Sequence, residues 1–418
     1  MTQAAGDAPR RVVVIGAGHG GAQLVAFLRQ FGFAGSIVLV GDEAGIPYQR
    51  PPLSKAWLKG ETTLDKLAMR PASFYAEQKI ELRSGLRAEG IDTAARQVRL
   101  SNSEQLGYDE LVLATGSYPR ALPLVAAGLG NVLALRALPD AEKLRAALAP
   151  GKRLVIVGGG FIGLECAATA RDLGAEVVVL EKAPRLLERV ASAPISQFLH
   201  RYHEARGVTV VVDASITAVE GQGRAEAVRL ADGRRFACDS VLVGIGAVPA
   251  TALAEAAGLA CDNGVCVGAD CRSSDPHIFA IGDVARRPHP LYGTALRLES
   301  VPSSLEQARL VAAAIAGREP GPPEVPWFWS DQYDLKLQMA GLPVAVDEVV
   351  IRGQPEGAGA EFAAKFAVFH LSQGRVTCVE AVNQPQAFMA GRKLIGSGKT
   401  VPAARLADPA VPLNELAA

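Results

Sequence analysis

Gly16, Gly18 and Gly21 stand in G-x-G-x-x-G spacing directly after the β-branched run Val12, Val13, Val14 and Ile15. Asp42 closes the next apolar run, Ser36 to Val40, about 20 residues on, at the spacing where a carboxylate accepts hydrogen bonds from a ribose. Gly16 permits the tight turn, Gly18 lets backbone approach a pyrophosphate, and Gly21 lets the following helix pack closely on the strand. The free amides at the N-terminus of that helix then face the phosphates. One glycine fingerprint alone is often an ordinary strand–helix turn. The complete strand–glycine–helix–strand–acid unit points to a dinucleotide.

The unit recurs. Gly158, Gly160 and Gly163 follow the run Arg153 to Val157, and Glu181 closes Glu176 to Leu180. Two such fingerprints in one chain imply two dinucleotides bound by one protein. Helices are expected from Ala22 to Phe31 and from the second glycine turn through Arg171, to place the amides and acids around them.

The remaining elements are coarser. Ile46 to Lys55, IPYQRPPLSK, is a stiff proline loop that follows the acid-tipped second strand. Lys79 to Arg83 and Arg96 to Leu100 look like short strands, and Glu110 to Ala114 is a buried strand ending in Thr115–Gly116. Strands and turns fill Val208 to Val243, and Val241 to Gly246 resembles the earlier strand end. Ile278 to Asp283, IFAIGD, is a buried strand capped by an acid, followed by a helix from about Ser304 to Ala316. Glu319 to Pro326 is a linker. Beyond it Trp327 to Arg352 and Phe362 to Val382 alternate like antiparallel strands, and Gln386 to Ile395 looks helical. The expected fold class is α/β: two Rossmann-like dinucleotide-binding domains plus a C-terminal α+β domain. The expected boundaries are 1–117 and 244–320 for the first domain, 118–243 for the second and 321–418 for the third.

At 418 residues with 49% apolar side chains, the chain can bury sizeable cores, and its formal net charge is zero. Neither nucleic acid nor a membrane surface is therefore an expected partner. No apolar stretch reaches the ~20 residues of a bilayer span, and MTQAAGDAPRR lacks a signal-peptide apolar region, so a cytoplasmic location is expected. Six cysteines without a regular framework fit a reducing compartment. Cys261, Cys266 and Cys271 are evenly spaced, but not in a zinc pattern, and CDNGVCVGADC alternates like a strand. No metal is expected.

Taken together, the two Rossmann units, the YQRPPLSK loop, the ATG and IFAIGD strand ends and the final α+β segment resemble the FAD-dependent pyridine nucleotide-disulfide oxidoreductases, with a glutathione-reductase-like fold. The motifs ESVP, LEQAR, WFWSDQY and VPLNEL narrow the resemblance to the oxygenase-coupled, putidaredoxin reductase-like branch of ferredoxin reductases. It runs from Val12 to about Leu416. Disulfide reductases of this fold carry a redox C-x4-C pair in the first FAD segment, and related NADH oxidases and peroxidases carry a single cysteine there. Here the first cysteine is Cys166.

The resemblance implies FAD at Gly16, Gly18, Gly20, Gly21 and Asp42, with Arg50, Lys55, Ala88, Gly116, Arg136, Asp283 and Val301 completing its site. It implies NAD(H) at Gly158, Gly160, Ile162, Gly163, Glu181 and Gly246. His19 departs from the small or apolar residues usual in that loop, and reads as a polar surface residue near the phosphates. Lys55 and Glu165 are implied as an ion pair near flavin N5, the cation favouring the charge that hydride brings and the carboxylate offsetting its burial. Taken singly, each is an ordinary surface charge. The implied activity is NADH:ferredoxin oxidoreductase, serving a haem-thiolate monooxygenase or Rieske-type oxygenase through an acidic 2Fe–2S ferredoxin bound transiently; the oligomeric state stays open, with a monomer favoured. Arg309 and Trp329 are the implied docking residues, with Arg70, Lys336 and Arg392 as further candidates. Otherwise Arg309 is a solvated helix residue and Trp329 a packing residue. Two other readings stay open: an NADH oxidase or quinone reductase, and a redox-responsive binding protein akin to apoptosis-inducing-factor relatives.

Overall fold

A computed structural model describes residues 10–124, 128–356 and 364–417. The expected strand start at Phe362 and the opening segment MTQAAGDAP lie outside the described residues. By its contacts the chain forms two compact units, one of residues 1–49, 64–118 and 248–324, the other of residues 50–63, 119–247 and 325–418. The proline loop from Arg50 onward therefore goes with the second unit.

In the first unit the run RVVVI forms the strand Arg11–Ile15, whose Val12, Val13 and Val14 are fully buried. An apolar strand with no polar face must be covered on both sides. It occupies the centre of a five-stranded sheet, between Ser36–Gly41 and Glu110–Leu113, with Ile80–Ser84 and Ile278–Ala280 at the edges. All four pairings are parallel. The helices His19–Gln30 and Val301–Ile315 pack together, and their apolar faces join one core with the sheet.

The second unit repeats the plan. Arg153–Val157 lies between Glu176–Leu180 and Ser240–Val243, flanked by Val208–Val211 and Val132–Leu133, again all parallel. The register repeats too: Ile15 pairs with Val40, and Val157 with Leu180. Its C-terminal part is a five-stranded antiparallel sheet of Trp327–Gln332, Leu335–Gly341, Arg375–Val382, Phe366–Ser372 and Glu348–Gly353, in that order. The helix Pro385–Ser397 covers it. No helix among the described residues is long and apolar enough to cross a membrane.

Several local expectations need correction. The first helix begins at His19, three residues earlier than expected, so His19 is not a loop residue; the glycines that look like helix breakers form its first turn. The helix expected from Ser304 begins at Val301, because Ser300 caps it by accepting the Ser303 amide and Pro302 is preset for a first turn. CDNGVCVGADC is not a continuous strand. Only Val265–Cys266 is extended in a ladder, since Asn263, Gly264 and Cys271 take positive φ and break the alternation.

Candidate functional site

The two glycine turns have matching geometry. Gly16 and Gly158 sit at φ +110° and +109°, and a Cβ would meet the Ala114 and Gly244 carbonyl oxygens at 2.1 and 2.4 Å. Each is tied by its amide to the neighbouring strand, through Val40 O and Leu180 O, both at 2.8 Å. Two residues on, at Gly18 and Gly160, a Cβ would meet nothing within 4 Å. Each of these is the N-cap of its helix, His19–Gln30 or Phe161–Asp172. The chain is thus crowded where strand and helix must touch and open where a phosphate would lie against backbone. That pattern fits a dinucleotide at each turn.

The acids differ in their surroundings. Asp42 stands exposed just past Ser36–Gly41, and beside it Glu43 accepts a 2.5 Å hydrogen bond from the Tyr48 hydroxyl. Glu43, a second carboxylate at the same strand tip, escaped the sequence reading. Glu181 is held from both sides: Gly159 N donates to Oε2 at 2.6 Å and Ala183 N to Oε1 at 2.8 Å. These bonds seat the carboxylate against the second glycine turn.

Elsewhere in the first unit, Gly20 and Gly21 form the first helical turn, and Gly116 takes positive φ at the end of the buried strand. Asp283 lies in the turn Gly282–Val284, where Ser117 Oγ donates to it at 2.9 Å. Val301 opens its helix. Ala88 lies on Ala88–Asp92, in a separate three-stranded sheet. Arg309 is exposed eight residues after Val301, about 12 Å along the helix. Its guanidinium bonds Glu324 at 3.0 Å and lies over the Phe27 ring.

In the second unit, Arg50 donates to the Arg136 carbonyl at 3.0 Å, while Ile162 is exposed near the start of its helix and Gly246 takes positive φ. Trp329 is half-buried against Trp327, their ring centres 5.5 Å apart. Arg392 lies over Trp327, and Lys336 is exposed on the next strand. In the first unit, Arg70 is occupied by the Met69 carbonyl and the Phe74 ring.

The short helix Pro51–Ser54 ends the proline loop and presents Ser54 and Lys55 to Phe161–Asp172. Lys55 Nζ donates to Glu165 Oε2 at 2.6 Å, and Ser54 Oγ donates to the same oxygen at 2.5 Å. One turn further, Thr169 Oγ1 donates to the Ser54 carbonyl and clamps loop to helix. Lys55 keeps 20% of its side chain exposed and Glu165 only 3%. Burial strengthens such a pair by lowering the local dielectric. Neighbouring Cys166 is fully buried, and its thiol pKa is pushed well up by that burial and then by Glu165. A thiol held protonated in this way does not act as a nucleophile. Among the described residues no cluster of His, Cys, Asp and Glu could hold a metal.

A family model described as pyridine nucleotide-disulphide oxidoreductase matches residues 10–308, and one described as reductase C-terminal matches residues 327–417. The chain is 46% identical over 413 residues to the probable ferredoxin reductase CtmF of Castellaniella defragrans, covering 98% of this chain and 100% of that one. It is 41% identical over 421 residues to putidaredoxin reductase CamA of Pseudomonas putida, covering 99% and 98%. Among solved structures, the covalent putidaredoxin reductase–putidaredoxin complex superposes with a TM-score of 0.94, at 41% identity and 98% coverage of both chains.

Proposed function

The chain belongs to the pyridine nucleotide-disulphide oxidoreductase family, and on that premise we propose that it passes electrons from NADH to a 2Fe–2S ferredoxin serving an oxygenase. It is an FAD-dependent ferredoxin oxidoreductase, with FAD and NAD(H) as cofactors. The observation that carries the reading is the doubled glycine turn, with one open backbone position in each unit. The names of the relatives, ferredoxin and putidaredoxin reductases, supply the acceptor class.

FAD supplies the conversion of a hydride pair into single electrons. The chain's own residues prepare for it. Gly16, Gly18, Gly20 and Gly21 would face the FAD pyrophosphate, Asp42 the adenosine ribose, and Asp283 the ribityl hydroxyls. Arg50, Ala88, Gly116, Arg136 and Val301 complete that assignment. Gly158, Gly160, Ile162, Gly163, Glu181 and Gly246 would take NAD(H). Lys55 supplies positive charge at the hydride-accepting end, and Glu165 holds that ammonium in place while limiting the cost of its burial. The domain division that goes with this assignment is 1–117 with 244–320 for FAD, 118–243 for NAD(H) and 321–418 for the C-terminal domain.

Arg309 and Trp329 are assigned to docking of the ferredoxin. From 321 to 418 the chain has 8 Lys and Arg against 10 Asp and Glu, so a basic docking face would arise from folding rather than composition. A 2Fe–2S cluster takes one electron per encounter, which calls for brief binding; the enzyme is proposed to act as a monomer in the cytoplasm. The first test is the purified protein itself. It should be yellow, hold one non-covalent FAD per chain and bleach when NADH is added without oxygen. A colourless protein that takes up no FAD on reconstitution contradicts the proposal.

A further inference from the structure

Glu165 has a third partner, from the C-terminal sheet. Ser330 Oγ donates to Glu165 Oε1 at 2.7 Å, across 165 residues of chain. Ser54 and Lys55 both act on Oε2, so among the described residues Ser330 alone bonds the other oxygen. Behind it Gln332 Nε2 donates to Ser330 Oγ at 3.1 Å, and the Gln332 side-chain oxygen Oε1 lies 2.8 Å from His203 Nε2. All four side chains of this line are 3% exposed or less.

The line has one consistent direction. His203 must donate through Nε2, which leaves Nδ1 bare, and Nδ1 takes no hydrogen bond among the described residues. Burial pulls the His203 pKa down to about 4, so the ring stays neutral at ordinary pH. With its carbonyl taken, the Gln332 amide turns its N–H to Ser330. The Ser330 oxygen is then an acceptor from Gln332, and its single proton is left for Glu165.

Register explains why strand and helix meet this way. Phe161 and Glu165 are one helical turn apart, a step of about 6 Å, and Phe328, Ser330 and Gln332 share a strand face at steps of about 6.6 Å. Phe161 packs on Phe328 with ring centres 4.6 Å apart. That contact brings the next position of each element, Glu165 and Ser330, into line.

We infer that Ser330 is a positioning residue for the Lys55–Glu165 pair: its hydroxyl fixes the rotation of the carboxylate, with Gln332 and His203 fixing the hydroxyl. The inference rests on the reading of that pair as serving hydride arrival. Without the Ser330 donor, Oε1 is buried unpaired, and a buried acceptor in that state reorients to find a partner. The carboxylate then neutralises Lys55 less completely, and the ammonium acts more strongly on whatever lies beside it.

The test uses the FAD-loaded protein, the midpoint potential of its flavin, and the limiting rate of bleaching at saturating NADH. Ser330→Ala should shift the potential positive and slow the rate by up to roughly tenfold, the size of one hydrogen bond to a charged group, each by less than Glu165→Ala does. Ser330→Thr should restore both values. In a Glu165→Ala background, adding Ser330→Ala should change neither. Gln332→Leu, which frees the hydroxyl to rotate, should give a smaller shift of the same sign, and it carries the test if Ser330→Ala does not fold. An unmoved potential in Ser330→Ala or Gln332→Leu, beside a shifted one in Glu165→Ala, overturns this inference alone. A silent Glu165→Ala overturns it together with the assigned role of the pair.

Discussion

Lys55 and Glu165 carry the chemistry assigned to single residues. Their contact is short and Glu165 is almost wholly buried, so neither charge can be removed without stranding the other. Lys55→Ala and Glu165→Ala should therefore each slow bleaching of the flavin by NADH at least tenfold, in line with losses seen when one preorganised charge-stabilising group is deleted. FAD retention should change less, since most affinity for a dinucleotide comes from phosphate and adenosine contacts. Stopped-flow absorbance measures the first and equilibrium dialysis the second; wild-type rates in both variants would remove the pair from the mechanism. In the proposed function Glu181 selects between the two nicotinamide cofactors. Tied down by Gly159 N and Ala183 N, it cannot easily swing away from a 2′-phosphate. Two unit charges ~4 Å apart repel by about 4 kcal/mol at an effective dielectric near 20. Screening and the adjacent Lys182 reduce that figure, leaving an expected preference for NADH over NADPH of roughly 10²-fold in kcat/KM. Equal values for the two cofactors would show that Glu181 does not face the ribose.

At the scale of elements, the glycine turn separates folding from binding. A Cβ at Gly160 meets nothing within 4 Å, and the residue already has φ −80°. Gly160→Ala should leave the melting temperature of the protein without nicotinamide cofactor unchanged and raise the NADH dissociation constant at least tenfold, by filling the space where backbone must approach phosphate. Lost stability with unchanged NADH affinity would contradict this placement. The same elements mark what could be read from the residues alone. The valine-rich runs and their glycines foretell both parallel sheets, because a short apolar strand before a glycine turn has few other uses. Helix starts were harder, since glycine and proline read as breakers yet serve as first-turn residues at His19 and Val301. The Cys261–Cys271 segment alternates in hydropathy, but positive φ at Asn263 and Gly264 breaks the strand. Ser54 was legible only as the neighbour of Lys55. Ser330 had no local signal at all, because its role depends on a contact made 165 residues away.

For the whole molecule, stability should depend on pH through His203 in the second unit and His289 in the first. Burial lowers the pKa of His203 to about 4; burial and then Arg287 do the same to His289. The unfolded chain, with histidines near 6.5, binds these protons more readily than the folded one. Their contribution is therefore complete above about pH 6.5 and is lost as pH falls toward 4, at roughly 3 kcal/mol for each site. Melting temperature should fall between pH 7 and pH 4.5, and His203→Gln should flatten that slope; a profile flat in the parent protein would contradict it. Electron delivery to a ferredoxin is the property on which the proposed function stands. It is tested most directly by NADH-driven reduction of cytochrome c, with and without a panel of 2Fe–2S ferredoxins. The account predicts little turnover until a ferredoxin is added and strong turnover with at least one of them. Full turnover without any ferredoxin, unchanged by adding each in turn, would contradict it.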